Sequence, residues 1–360
     1  MNPESVSSHR LRVRVLCAGL AALLCACGPG GPKRKTDDGN GDGGGSSTGI
    51  TVLAGDANAS GFADAKGTAA RFNTPRGLAV DTRGNVYVAD PGNFTIRKIA
   101  TDGTVSTFAG MRGVSASRDG NGTAARFNQP TAITIDGSGN LFVTDGVLIR
   151  KITPGGDVST VTELTFGQFS PDGQYLPAGI AIDGSNNLYV TSGMDTRRIP
   201  VSNPNRSTTL ENGTVADIYN TKDLVPRGAA VNADNLAYVA DLTRTLSTAT
   251  SGAPALTRFV GAAGQTGTAN GNTSTARFQQ LVALAVDKNG NIYGADALSN
   301  TIRKITKDGV VTTPAGTINA TALKTGGLPG SFATLRGIAV DGNGVLYATS
   351  GNAVVKIVLQ

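Results

Sequence analysis

A pattern repeated six times across residues 77–350 predicts an all-β chain folded as a six-bladed β-propeller of four-stranded antiparallel blades. Three observations carry this. Each copy is a short apolar strand ending in Asp or Asn, a tight turn, and a second strand centred on an aromatic residue, as in GLAVDTRGNVYVAD (77–90) and ALAVDKNGNIYGAD (283–296). The residues closing the first strand are Asp81, Asp136, Asp183, Asn232, Asp287 and Asp341, at steps of 55, 47, 49, 55 and 54. Gly, at 49 residues, is about twice ordinary usage, and charged residues, at 16%, fall short of the usual quarter. Both suit many short strands joined by tight turns.

Residues 1–26 have the plan of an export signal. Arg10, Arg12 and Arg14 precede the apolar stretch VLCAGLAALLCA (15–26), which is too short to span a bilayer. Its end, Leu24-Cys25-Ala26-Cys27, resembles a bacterial lipobox. That resemblance implies acylation of Cys27 and an N-terminal lipid in the membrane of a bacterial cell envelope. Gly28, where Asp would resemble an inner-membrane retention signal, points to the outer membrane if the cell is diderm. All three cysteines, Cys17, Cys25 and Cys27, fall in or at the end of this signal, so no disulfide framework or zinc cluster is expected in the mature chain. Residues 27–49 are the lipidated Cys and a flexible Gly- and Asp-rich tether. Asp38–Gly43 matches the opening of a calcium loop, but its twelfth position is Gly49 and no helix pattern flanks it, so a solvated linker is expected.

The propeller occupies residues 50–360. In the first blade GLAVD (77–81) is the inner strand, NVYVAD (85–90) the second, FTIRKIA (94–100) the third and TVSTFAG (104–110) the outer one. The six Asp/Asn residues that close the inner strands are placed to cap their own turns. Tyr87, Phe142, Tyr189, Tyr238, Tyr293 and Tyr347 share one register of the second strand and form a packing layer between blades. The last blade supplies only three strands before Gln360, whereas ITVLAG (50–55) matches the outer-strand segments TVSTFAG and VVTTPAG. The N-terminal strand is therefore expected to complete blade six, which leaves no long free edge.

The segments ARFNTPRGLAVDTRGNVYVADPGNFTIRKI (70–99) and ARFQQLVALAVDKNGNIYGADALSNTIRKI (276–305) resemble the NHL family of six-bladed propellers. The likeness covers residues 50–360, strongly in blades 1, 2 and 5 and more loosely elsewhere. It implies the fold and leaves function open, because binding modules, sensors and enzymes share that frame.

The only histidine, His9, lies in the signal, which excludes histidine-dependent metal sites, Ser-His-Asp hydrolysis and His-based lyase chemistry from the mature chain. A net charge of +6, spread along the chain, does not make a nucleic-acid-binding face. The basic pairs Arg97-Lys98, Arg150-Lys151, Arg197-Arg198 and Arg303-Lys304 on third strands are expected to form inter-blade ion pairs and solvent-reaching edges. Arg71, Arg126 and Arg277, each before Phe, are expected to staple the loop that enters a blade. The connections from fourth to first strands and from second to third open on one face. Candidate ligand-binding residues there are Arg76, Arg227 and Arg336, just before inner strands, with Asp90, Asn93, Asp296 and Asn300 in the shorter connections. The expected molecule is a monomeric, lipid-anchored binding module for a protein, peptide or glycan, requiring no cofactor. The alternatives are a lactonase- or lyase-like enzyme holding a divalent cation, calcium being possible, through Asp and Asn, and an envelope scaffold.

Overall fold

The repeated strands form six blades in a ring, each blade running from an inner strand outward. The computed structural model describes residues 47–164, 177–192, 195–212, 228–240, 244–250 and 253–359. Cys27, the tether up to residue 46, the calcium-loop-like run and Arg227 lie outside the described residues. Blade 1 comprises Leu78–Val80, Val86–Asp90, Thr95–Ile99 and Val105–Gly110, hydrogen-bonded in that order. The inner strands of blades 2 to 6 are Pro130–Ile135, Gly179–Ile182, Ala229–Val231, Leu281–Val286 and Leu335–Val340. No helix among the described residues is long and apolar enough to cross a membrane.

Blade 6 closes as its sequence requires. Gly49–Gly55 pairs antiparallel with Ala353–Val358, from Gly49 opposite Val358 to Gly55 opposite Ala353. Ile50 and Ala54 of this strand are fully buried. The ring is thus joined by main-chain hydrogen bonds between the first and last described strands.

Apolar packing lies between blades rather than within them. Six clusters of buried side chains occupy the six blade junctions. The aromatic layer supplies one buried ring to each: Tyr87 joins blade 1 to blade 2, Phe142 blade 2 to 3, and so on round to Tyr347 against blade 1. Blades 3 and 4 depart from the pattern. Their outer strands, Thr208–Asn212 and Ala255–Val260, run side by side through a short parallel pairing of Glu211 with Ala255 and Asn212 with Leu256.

The turn residues act locally, and the tyrosines extend their reach. The Oδ1 atom of Asp81 accepts hydrogen bonds from the backbone N–H groups of Arg83 and Asn85, each at 2.9 Å. The same arrangement recurs at Asp136, Asp183, Asn232, Asp287 and Asp341. The second carboxylate oxygen accepts the tyrosine hydroxyl six residues later in four blades, closest for Tyr293 on Asp287 at 3.1 Å. Burial pushes the Asp287 carboxyl up, but hydrogen bonds from Asn291, Asn289 and Tyr293 outweigh it and leave the pKa below its usual value.

In blades 1, 2 and 5 the arginine of the basic pair on the third strand is not an inter-blade ion pair and does not reach solvent. Arg97, Arg150 and Arg303 are 0% exposed. Each turns inward beneath the loop that leads into its own blade. Arg97 Nη1 donates to Asp90 Oδ2 at 3.1 Å and to the Arg71 carbonyl at 2.9 Å, while Nη2 donates to the Ala63 carbonyl and to Asp64. Arg150 repeats this with Asp145 at 3.0 Å and Asp119 at 2.8 Å. Arg303 faces Asp296 at 3.5 Å and Asn270 at 3.1 Å. The guanidinium groups lie over Phe72, Phe127 and Phe278, centroid distances 5.1 to 5.3 Å. A charge so buried is tolerated because two acidic or amide groups and one or two carbonyls surround it.

The staple role does describe Arg71, Arg126 and Arg277, each of which donates to two carbonyls of its own lead-in segment. These lead-in loops double back. Gly120–Asn121 pairs with the start of the outer strand Asp157–Glu163, and Gly67 N donates to Gly103 O at the foot of blade 1. The described loops that lead into blades 1 and 2 thus run along the outer edges of their own blades.

Candidate functional site

The ring encloses a central cavity of about 550 Å³, lined by all six inner strands. At one end stand Val80, Ile135, Ile182, Val231, Val286 and Val340, six β-branched residues that each directly precede a turn cap. At the other end stand Arg76, Thr131, Ala178, Val282 and Arg336, with Gln280, Leu298 and Thr334. Each inner strand is the last in its sheet, so its free edge faces the channel. Polar backbone groups thus run along a bore whose side chains are largely aliphatic. None of the described lining residues is acidic.

The mouth lies on the face where fourth strands connect to first strands and second strands to third. Direct hydrogen bonds join these two classes of connection: Gly92 N to Asn73 O, Gly146 N to Gln129 O, Ala297 N to Gln280 O and Gly351 N to Thr334 O. The blades also interlock here. Thr74 N of blade 1 donates to Asn352 Oδ1 of blade 6 at 2.9 Å, and Asn300 Oδ1 of blade 5 accepts Leu335 N of blade 6 at 3.3 Å.

Arg76 and Arg336 are neighbours in this rim. Thr349 Oγ1 donates to the Arg76 carbonyl at 3.1 Å and accepts Gly337 N at 2.8 Å, so one hydroxyl ties the starts of the two inner strands together. The approach is so close that a Cβ on Gly337 would lie 2.0 Å from the Arg76 carbonyl oxygen. Both arginines are half-buried and line the cavity. Burial lowers the pKa of Arg336, which makes no hydrogen bond or ion pair with any described residue. A guanidinium partly stripped of water and without a counter-charge is disposed to bind an anion.

The shorter connections behave differently from the sequence expectation. Asp90, Asn93 and Asp296 are buried and engaged internally, and do not offer themselves to a ligand. Asp90 Oδ1 accepts Asn73 N at 2.8 Å, while Oδ2 accepts Asn93 at 2.7 Å and Arg97. Burial pushes the Asp90 carboxyl up to about 6, against the lowering by Asn93, Asn73 and Arg97. Asp296 accepts Gln279 N and Gln280 N, and Asn300 Nδ2 donates to the Ala320 carbonyl. These residues hold loops in place. Sequence could have shown it, since Asp90 and Arg97 recur together as Asp145 with Arg150 and Asp296 with Arg303.

Sequence reasoning missed the apolar side chains of this face. Five large ones are exposed among the described residues, and four of them, Met111, Val114, Leu298 and Ile318, lie in connections that leave the strands here. No alternation marks them, because they sit in loops. As for a calcium-holding centre, no group of three His, Cys, Asp or Glu that could hold a metal ion occurs among the described residues. Among the described lining residues the side-chain oxygens belong to Thr131, Gln280 and Thr334 at the mouth and Thr134 toward the other end, a set without carboxylates that does not fit that ion.

A family model described as the Teneurin NHL domain matches residues 45–127 and 111–333. No curated protein matches the sequence. Among solved structures, a structural genomics protein of unknown function from Bacteroides thetaiotaomicron superposes with a TM-score of 0.71 at 19% identity, over 87% of this chain and 76% of the other. An auxiliary nutrient binding protein from the same organism gives 0.66 at 15% identity over the same shares. A gluconolactonase from Xanthomonas campestris gives 0.57 at 13% identity, over 86% of this chain and 89% of the other. At these identities the likeness is one of fold.

Proposed function

Since this chain belongs to the Teneurin NHL domain family and is built as a six-bladed ring, we propose that it is a binding module of the bacterial cell envelope, exported and anchored by a lipid on Cys27, that takes an anionic ligand at its channel mouth. The observation that carries this is the pair Arg76 and Arg336, set side by side in a rim with no acidic residue among its described lining. A carboxylate, sulfate or phosphate there receives bidentate hydrogen bonds in a partly water-excluded site. The gathering of exposed apolar residues on the same face supports it as the surface that meets a partner. The likeness to a nutrient binding protein agrees in kind.

Binding is favoured over lactonase- or lyase-type catalysis because the described mouth presents cations and hydroxyls, with no carboxylate to act as base or to hold a divalent ion. The test is titration of the full chain with sulfate and with glucuronate, followed by calorimetry. Replacing Arg76 and Arg336 by Ala should weaken binding at least tenfold, since one charge-assisted contact contributes about 1.5–3 kcal/mol. Equal binding by the variant and the parent would remove the mouth from consideration. Cys27→Ser should move the protein from the detergent phase to the aqueous phase, and unchanged partitioning would sink the lipid anchor.

A further inference from the structure

Arg336 shares the cavity lining with one exposed aliphatic side chain, and a second is exposed in the connection bonded to it. Leu298 is 55% exposed and lines the mouth, and Ile318 is 47% exposed in the next connection. They are held near the arginine by a short chain of hydrogen bonds. Asn319 N donates to Ser299 O at 3.0 Å, which sets Ile318 and Leu298 one residue either side of a shared contact. Asn300 Oδ1 accepts Leu335 N, the neighbour of Arg336. Asn300 is itself fixed by its bond to the Ala320 carbonyl at 2.8 Å and by a left-handed backbone, φ 52°. The junction of blades 5 and 6 therefore presents a half-desolvated cation and two bare aliphatic side chains on a rigid support.

We propose that this junction recognises an apolar carboxylate: an acid group held by Arg336, beside Arg76, with a branched aliphatic or aromatic group a few bonds away lying on Leu298 and Ile318. Resting on the anion-binding role of the mouth, this specifies what the anion carries. A hydrophilic anion leaves both aliphatic side chains in water, and a neutral apolar ligand leaves the guanidinium without a counter-charge. One molecule with both features satisfies all three groups. The apolar part belongs on the rim rather than in the bore. Deeper in, the free edges of six inner strands present backbone N–H and C=O groups that an aliphatic tail would strip of water without replacing their hydrogen bonds. Such an acid can be free or can be the C-terminal residue of a peptide, and the two share the recognised chemistry.

The experiment is calorimetric or ligand-observed NMR titration of the full chain with four probes: 4-methylpentanoate, N-acetyl-leucine, N-acetyl-leucinamide and sulfate. The two acids should bind, and the amide at least tenfold more weakly than N-acetyl-leucine. Tighter binding of N-acetyl-leucine than of 4-methylpentanoate assigns a peptide C-terminus as the source, and the reverse assigns a free acid. Leu298→Ser should weaken the apolar acids about tenfold and leave sulfate unchanged, whereas Arg336→Gln should weaken all three anions. Sulfate binding that responds to Arg336→Gln, with acids indifferent to Leu298→Ser, overturns the apolar part and spares the anion site. Amide binding equal to that of the acid overturns the proposal, and absence of any anion binding overturns both it and the reading beneath it.

Discussion

Blades 1, 2 and 5 differ from blade 6 at one pair of buried positions, and the difference separates structural chemistry from functional chemistry. In the first three, the third strand sends Arg97, Arg150 or Arg303 beneath the lead-in loop to meet an acidic residue at the end of the second strand. In blade 6 the same registers hold Val355 and Ser350. Ser350 Oγ accepts Ala333 N at 2.9 Å, doing for its loop what Asp90 Oδ1 does for Asn73 N. Val355 is buried without polar obligations. Two solutions, one ionic and one apolar, fill the same place in the ring, so the repeated Arg and Asp there are scaffolding. The mouth shows the converse. One register holds Arg76, Thr131, Ala178, Val282 and Arg336, each lining the cavity, and changes of residue there alter what a ligand meets rather than how a blade packs.

The largest way to break the comparison is to remove the strand that both blade types depend on for closure. Deleting residues 49–55 should abolish cooperative unfolding followed by circular dichroism. Ile50→Ala alone should cost about 2–5 kcal/mol, since Ile50 is fully buried at the junction of blades 5 and 6. A ring that melts as the parent does after the deletion would show closure to be dispensable.

Next come the ion pairs. Asp296→Ala should cost about 3–5 kcal/mol in urea unfolding, because Arg303 keeps only carbonyls and the neutral Asn270 around it. Asp90→Ala should cost less, because Arg97 retains Asp64 as a counter-charge. The opposite order would mean that the second acidic residue does not compensate the guanidinium. Installing the blade 6 pair in blade 1, Asp90→Ser with Arg97→Val, should recover most of the loss from Asp90→Ala.

A smaller effect is the pH dependence of that site. Burial raises the Asp90 carboxyl to about 6 in the folded state, above its unfolded value of 3.8. The native chain therefore holds that proton more tightly, and the corresponding stability is fully present below about pH 4 and lost as pH rises through about 6. Asp90→Asn should flatten the stability profile of the parent between those limits. Parallel profiles for parent and variant would show that Asp90 stays ionised throughout.

The smallest expected effect is at the mouth. Arg336→Ala removes no hydrogen bond with a described residue and should change stability by no more than about 0.5 kcal/mol. A loss well above that would make Arg336 another structural arginine and erase its contrast with Arg303.

The sequence by itself determined the ring. A fifty-residue period, Asp-capped turns and one aromatic per second strand are local signals, and the match of ITVLAG to the other outer strands is enough to assign the closure. Local signals suffice because each blade is the same antiparallel unit, able to bury its faces only against its neighbours. Tertiary structure alone decided which charges are inside. Arg97 and Arg76 look alike along the chain, yet a loop folding back over the third strand buries the first, while the second stands where the inner strands meet the channel. It also decided that Leu298 lines the mouth with Arg336 and that the connection carrying Ile318 is bonded to the one carrying Leu298. Those residues lie 18 to 38 positions apart in the chain, and bonds from Ser299 and Asn300 to Asn319 and Leu335 hold their segments together. No strand periodicity records such distances, because loop side chains follow the path of the backbone rather than an alternating pleat.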